Sequence, residues 1–200
     1  MIPAKAIKTL SKDQVMRDVI LKVGECKLKH VKNRYESLVR AIISQQLAGA
    51  AAQAIFKRFS KLGDGRFPKP DETLGFSHKK LRKVGLSERK IEYIRDLSAK
   101  IESRELKLRS ISRLSDEKVV EQLVMIKGVG RWTAEMFLMF TLGRLDILPL
   151  GDLGVRNGFR KMYSNQSMSE KEMLVIAEKW RPFRSIATWY IWQSLTLNID

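Results

Sequence analysis

The chain has 200 residues, enough for one large domain or two small, closely packed ones. Its 44% apolar content excludes global disorder, and its one cysteine, Cys26, excludes both an internal disulfide and a four-cysteine iron–sulfur cluster. Thirty-eight Lys and Arg against 22 Asp and Glu leave a net charge of +16, a balance that suits a polyanionic partner, most often nucleic acid, although a merely basic protein has the same count.

In chain order, the opening MIPAKAIKTLSKDQ lacks the apolar centre of a signal peptide. Ser11 then stands as the expected N-cap of a helix whose Met16, Val19, Ile20 and Val23 fall at i, i+3, i+4 and i+7. Tyr35, Leu38, Val39, Ile42 and Ile43 mark a second helix, and alanine-rich residues 50–59 a third. KLGDGRFPKP (61–70) and Gly85 break the pattern before an amphipathic helix over 87–101, which begins at a capping serine. Residues 117–125 and 131–142 form a pair of short helical patterns, and DILPLGDLG (146–154) is the next break. Met173, Ile176, Ala177 and Trp180 define a last stripe behind a Ser169–Glu172 capping box. No strand-like alternation and no internal repeat occur, so the expected class is all-α. The longest apolar run, near Met136–Leu142, is far too short to span a membrane, which leads to the expectation of an intracellular, soluble protein. His30 and His78 lie far apart in no ligand-like spacing.

The pair of helical patterns at 117–142 is joined by IKGVG, with Gly128 and Gly130 one residue apart. Such a turn taken alone reads as a packing corner; together with the net charge of +16 it reads as an anion site. At the start of the second helix, unpartnered N–H groups and the positive dipole end favour a phosphate, and glycines permit close approach. Lys127 and Arg131 add positive charge on either side.

LVMIKGVGRWTAEMFLMF followed by DILPLGDLGVRNGF resembles the helix–hairpin–helix DNA glycosylases, and within them the 3-methyladenine, or alkylation-repair, branch. RAIISQQLA (40–48), VGLSERKIEYIRDLSAKI (84–101) and WRPFRSIATWYIW (180–192) support the same likeness. The likeness extends over about residues 13–195, with no room for the additional N-terminal sheet-containing subdomain of larger members. It implies one compact helix–hairpin–helix domain over 1–200, built as two packed helical subdomains with a DNA-binding cleft between them.

The resemblance also implies a site. Asp152 matches the catalytic carboxylate, 22 residues beyond Gly130, at a position where an aspartate is equally a good N-cap. Relatives often have a second acid just before it; here that residue is Gly151. Family members that also cut the strand carry a Schiff-base lysine at the position of Trp132, so base removal without lyase activity is expected. Trp132 and Trp192 match aromatic pocket walls, and Met136 stands where some relatives have tyrosine; Trp189 reads as core. Gln46 and Leu47 match the wedge that fills the hole left by a flipped base, a stretch that also reads as an ordinary helix–helix turn. Gly128, Gly130, Lys127 and Arg131 match the phosphate-binding hairpin. The main-chain carbonyls of Val124, Ile126 and Val129 match those that hold a structural Na⁺ or K⁺, and the chemistry needs no other cofactor.

The expected partner is double-stranded DNA containing damaged bases, acted on by a monomer that excises 3-methyladenine and 7-methylguanine. A catalytically silent DNA-binding module and a glycosylase for deaminated or oxidised bases are the competing readings. The basic residues Arg181 and Arg184, and the runs Lys79–Lys83 and Arg104–Arg113, are basic enough to touch DNA, but each reads first as a solvated face.

Overall fold

The computed structural model describes residues 3–197. Within them the chain is helical throughout, in the order α1 (Ala4–Leu10), α2 (Gln14–Val23), α3 (Arg34–Ser44), α4 (Gly49–Phe59), α5 (Pro70–Gly75), α6 (His78–Lys83), α7 (Glu88–Glu102), α8 (Asp116–Val124), α9 (Arg131–Phe140), α10 (Leu153–Met162), α11 (Glu170–Glu178) and α12 (Arg184–Ser194). The all-α expectation therefore holds. Two compact units divide the chain: residues 1–30 with 138–200, and residues 31–137.

The first unit is closed by both ends of the chain. Trp180 and Phe159 stack with ring centroids 5.3 Å apart, and with Tyr190, Met16 and Met173 they are fully buried. Asp13, only 9% exposed, caps α2: its Oδ1 accepts from the Met16 N–H at 3.2 Å. Its Oδ2 accepts from the Tyr163 hydroxyl at 2.6 Å and the Trp180 indole N–H at 3.2 Å. Ser11, the expected cap, instead closes α1 at its C-terminal end. Asp13 displaces it because a carboxylate can take two further donors from distant parts of the chain, which a hydroxyl at position 11 is not placed to do. Gly158 lets α10 and α12 meet backbone to side chain: a Cβ there would lie 2.3 Å from Ile191 Cγ2 and 2.8 Å from the Ile191 carbonyl oxygen.

The second unit packs α3 to α8 and the first two turns of α9 around Leu38, Ile42, Phe59, Leu81, Ile94 and Leu123, all but fully buried. Phe67, in the irregular stretch before α5, contacts Tyr35, Phe56 and Phe59 with centroids 5.7–5.8 Å apart. Tyr35 shares a 2.6 Å hydrogen bond with Ser98, which places α3 against α7. Helices α7 and α8 are capped as the residue types dictate, by Ser87 and Ser115.

Two predictions follow from this packing. Gly158→Ala should lower the unfolding free energy by about 1–3 kcal/mol in urea titration, because the clash falls on backbone and a branched side chain. Burial pushes the Tyr190 hydroxyl up to about 12, helped by nearby Cys26 and Glu25, and burial together with the Asp13 hydrogen bond raises Tyr163 as well. Between pH ~10, where unfolded tyrosine ionises, and pH 12 the native state therefore binds more protons. Stability should be full below pH ~10 and fall as pH rises through that window, and Tyr190→Phe should flatten the slope in pH-dependent denaturation.

Candidate active site

Asp152 sits at the N-cap of α10, half-buried and extended (φ −77, ψ 122), where its Oδ1 accepts the Val155 N–H at 2.8 Å. The same oxygen accepts the Trp192 indole N–H from α12 at 3.0 Å. Two donors from two helices fix the carboxylate's rotation, which a cap bond by itself leaves freer. Gly154 makes this possible: a Cβ there would lie 2.9 Å from Asp152 Oδ1 and 3.3 Å from the Trp192 ring. Phe140 stacks on the Trp192 indole at 6.0 Å with planes 16° apart, so the indole is held by its face as well as its edge.

The loop that delivers Asp152 is itself tied to the start of α12. Ser185 Oγ donates to the Arg144 carbonyl at 2.7 Å and accepts from the Ile147 N–H at 2.9 Å. Arg184 binds Asp146 through Nε at 2.8 Å, and Arg181 joins the same carboxylate at 2.6 Å. These two arginines, candidates for DNA contact by charge, thus serve first to anchor the loop.

In the second unit, the hairpin turn after α8 is gripped by α7. Gly128 is left-handed (φ +75), and a Cβ there would meet the Tyr93 ring at 2.1 Å. Asp96 Oδ2 accepts the Lys127 N–H at 2.9 Å, and Glu92 pairs with the Lys127 ammonium at 2.6 Å, raising its pKa. The Gly128 carbonyl accepts from Gln45 Nε2 at 2.7 Å. Gly130 differs in kind from Gly128: its φ is not positive, its carbonyl accepts the Ala134 N–H to open α9, and a Cβ would meet open space. Arg131 pairs with Glu117 and lies 3.8 Å from Glu135.

A family profile described as HhH-GPD superfamily base excision DNA repair protein matches residues 39–182. The chain belongs to this superfamily. DNA-3-methyladenine glycosylase 1 of Schizosaccharomyces pombe is 40% identical over 169 residues, covering 83% of this chain and 74% of that protein. The structure of the S. pombe 3-methyladenine DNA glycosylase Mag1 in complex with abasic DNA superposes with a TM-score of 0.85 at 36% identity, covering 98% of each chain. A DNA-3-methyladenine glycosidase from Bacillus halodurans gives a TM-score of 0.87 at 36% identity over 97% of this chain and 90% of that one.

Within this HhH-GPD chain, the remaining sequence candidates are distributed as follows. Trp132, 46% exposed, and Met136, half-buried, lie one turn apart on α9. Gln46, left-handed at φ 55, and Leu47, 38% exposed, form the tip of the loop after α3. Val124 ends α8 with an exposed side chain, whereas Ile126 and Val129 are buried; the Ile126 carbonyl already accepts from the Val129 N–H at 3.0 Å. Trp189 is partly buried against the core and edge-on to Tyr190, as expected of a packing residue, and Tyr190 donates from its buried ring to the Gly24 carbonyl at 2.9 Å.

Sequence reasoning did not single out Gly154, Phe140, Gln45, Tyr93 or Asp96. Gly154 carried a usable signal, since a glycine in the first turn of a helix costs roughly 1 kcal/mol relative to alanine and needs a reason. The others have no local signature, because their roles come from residues 30 or more positions away.

The contrast between the hairpin glycines is testable in unfolding experiments. Gly128→Ala combines a left-handed backbone with a ring clash and should cost about 3 kcal/mol. Gly130→Ala should stay within about 1 kcal/mol of the parent, since only a cap preference is lost.

Proposed function

We propose that this chain hydrolyses the N-glycosidic bond of alkylated purines in double-stranded DNA, 3-methyladenine and 7-methylguanine among them, leaving an abasic site in an uncut strand. The observation that carries the reading is the carboxylate of Asp152, held by the Val155 N–H and the Trp192 indole at the mouth of a helix. A purine alkylated at N3 or N7 already carries positive charge, so it departs as a neutral base with the bonding electron pair and needs no acid to protonate it. The positive charge that develops on the deoxyribose is stabilised by the fixed carboxylate, which also orients the water that adds to C1′ and loses its proton to solvent. One aspartate suffices for this, in keeping with Gly151 at the neighbouring position.

Trp132 offers an exposed indole face on which an electron-poor, cationic base can stack, with Met136 one turn along α9 shaping the same surface. Trp192 acts chiefly on Asp152, since its edge and a face are engaged by the carboxylate and by Phe140. Leu47 and Gln46, exposed at a loop tip, fill the stack when the base leaves it. The open side of Gly130 receives a DNA phosphate at the N-terminus of α9. Lys127 and Arg131 exchange their exposed carboxylate partners for that phosphate, because such surface pairs contribute little.

The carbonyls of Val124, Ile126 and Val129, at the negative end of α8, would hold a Na⁺ or K⁺ that adds positive charge beside the phosphate; Ile126 retains a second lone pair for it. Trp132 in place of a lysine leaves no amine there to form a Schiff base, in keeping with hydrolysis without strand cleavage. A genomic DNA substrate places the work of the protein in the nucleoid or the nucleus; separately, no helix among the described residues is long and apolar enough to cross a membrane.

Incubated with randomly methylated duplex DNA, the protein should release free methylated purines and leave strands intact until alkali is added. Asp152→Asn, which keeps the cap acceptor, should slow release by about 10²–10³-fold with DNA affinity unchanged. DNA binding without release by the parent protein would overturn this reading in favour of a silent binding module or a glycosylase for another kind of damaged base.

A further inference from the structure

The loop after α3 and the hairpin after α8 are far apart in sequence, yet a side-chain hydrogen bond joins them. Gln45, the C-cap of α3, donates from Nε2 to the Gly128 carbonyl at 2.7 Å across 83 positions. It immediately precedes Gln46 and Leu47 at the exposed tip. We propose that Gln45 is a positioning residue that couples the phosphate-gripping hairpin to the base-stack wedge, so that binding energy gained at the hairpin sets how deeply Leu47 enters the duplex. This inference rests on the glycosylase reading above.

Three features make the link mechanical. First, the acceptor cannot drift: Gly128 is locked by its left-handed backbone against the Tyr93 ring, and the preceding N–H is tied to Asp96. Secondly, the wedge loop has a stiff base, because Lys90 Nζ donates to the Ile43 carbonyl at 2.6 Å. Lys90, Tyr93 and Asp96 all belong to α7, so one helix supports both loops and Gln45 closes the circuit between them. Thirdly, the tip leaves α3 through Gln46 at φ 55, a conformation that non-glycine residues rarely adopt unless surrounding contacts impose it. A tether on the residue just before Gln46 is such a contact. Without it, the hairpin can still bind phosphates while the tip relaxes, and the cost of unstacking the base is no longer met by a rigid insertion.

The test uses the whole protein with single-turnover base release from duplexes containing one 7-methylguanine. One duplex pairs the lesion with cytosine; a second places it opposite an abasic site, where flipping costs less. Gln45→Met preserves side-chain length but removes the donor, and Gln45→Lys restores a donor of similar reach. The expected result for Gln45→Met is a release rate reduced about 10-fold or more on the paired lesion and about 3-fold or less on the unpaired one. Affinity for undamaged duplex should stay within about 2-fold, since phosphate contacts are untouched. Gln45→Lys should recover most of the paired rate. An unchanged paired rate, or an equal loss on both duplexes, overturns the coupling. If the parent protein itself releases no base from either duplex, it is the glycosylase reading that fails, and the coupling falls with it.

Discussion

Two aspartates at helix N-termini show how one capping interaction is put to different use by its surroundings. Asp13 and Asp152 both have extended backbone at an N-cap, and both accept a backbone N–H three residues on. Asp13 is largely buried and takes two further donors, Tyr163 and Trp180, so it ties the beginning of α2 to residues some 150 positions on. Asp152 is half-buried and takes an indole N–H on the same oxygen that caps the helix. The cap thus holds this carboxylate in place at little extra cost, because α10 requires an acceptor there regardless. The remainder of the site follows from that demand: Gly154 keeps a Cβ out of the way, Phe140 backs the indole, and Ser185 with Arg184 secures the loop that delivers the aspartate.

The hairpin obeys a different constraint, rigidity without side-chain chemistry. Its two glycines divide the work between an inner face, where Gly128 admits the Tyr93 ring, and an outer one, where Gly130 leaves room for an approaching group. The α7 helix contributes acids as well as packing: Glu92 pairs with Lys127, and Glu117 of α8 pairs with Arg131. Exposed pairs of this kind are weak and easily exchanged. They hold the cations near the turn while leaving them available to a stronger polyanion, which reconciles a strongly basic protein with a hairpin whose cations already have partners.

Helical class and most of the longer helices were legible from the amino-acid pattern, because a one-sided 3.6-residue period over about ten positions is hard to mistake. Helices α1, α5 and α6, of 7, 6 and 6 residues, were not, and neither was α12, which is buried on so many sides that no one-sided apolar stripe marks it. Fewer than two turns cannot display a period, and α5 and α6 lie in the stretch where Gly, Pro and clustered lysines read as breaks or solvated face. The capping residue of α2 was misplaced at Ser11 because local propensity ranks serine and aspartate alike, whereas the choice was made by Tyr163 and Trp180 at the other end of the chain.

What the sequence determined by itself was the kind of molecule: an all-helical, strongly basic chain whose ordered motifs place it among the helix–hairpin–helix glycosylases, with Asp152 as the carboxylate to watch. These are properties of local period, charge count and motif order, and each is carried by residues close together in the chain. Only the tertiary structure decided that Trp192 serves Asp152 through its N–H, that Gly128 faces a tyrosine whereas Gly130 faces open space, and that Gln45 reaches the hairpin. Those assignments depend on contacts spanning 35 to 83 positions, and a single sequence contains no local pattern from which such distances can be read.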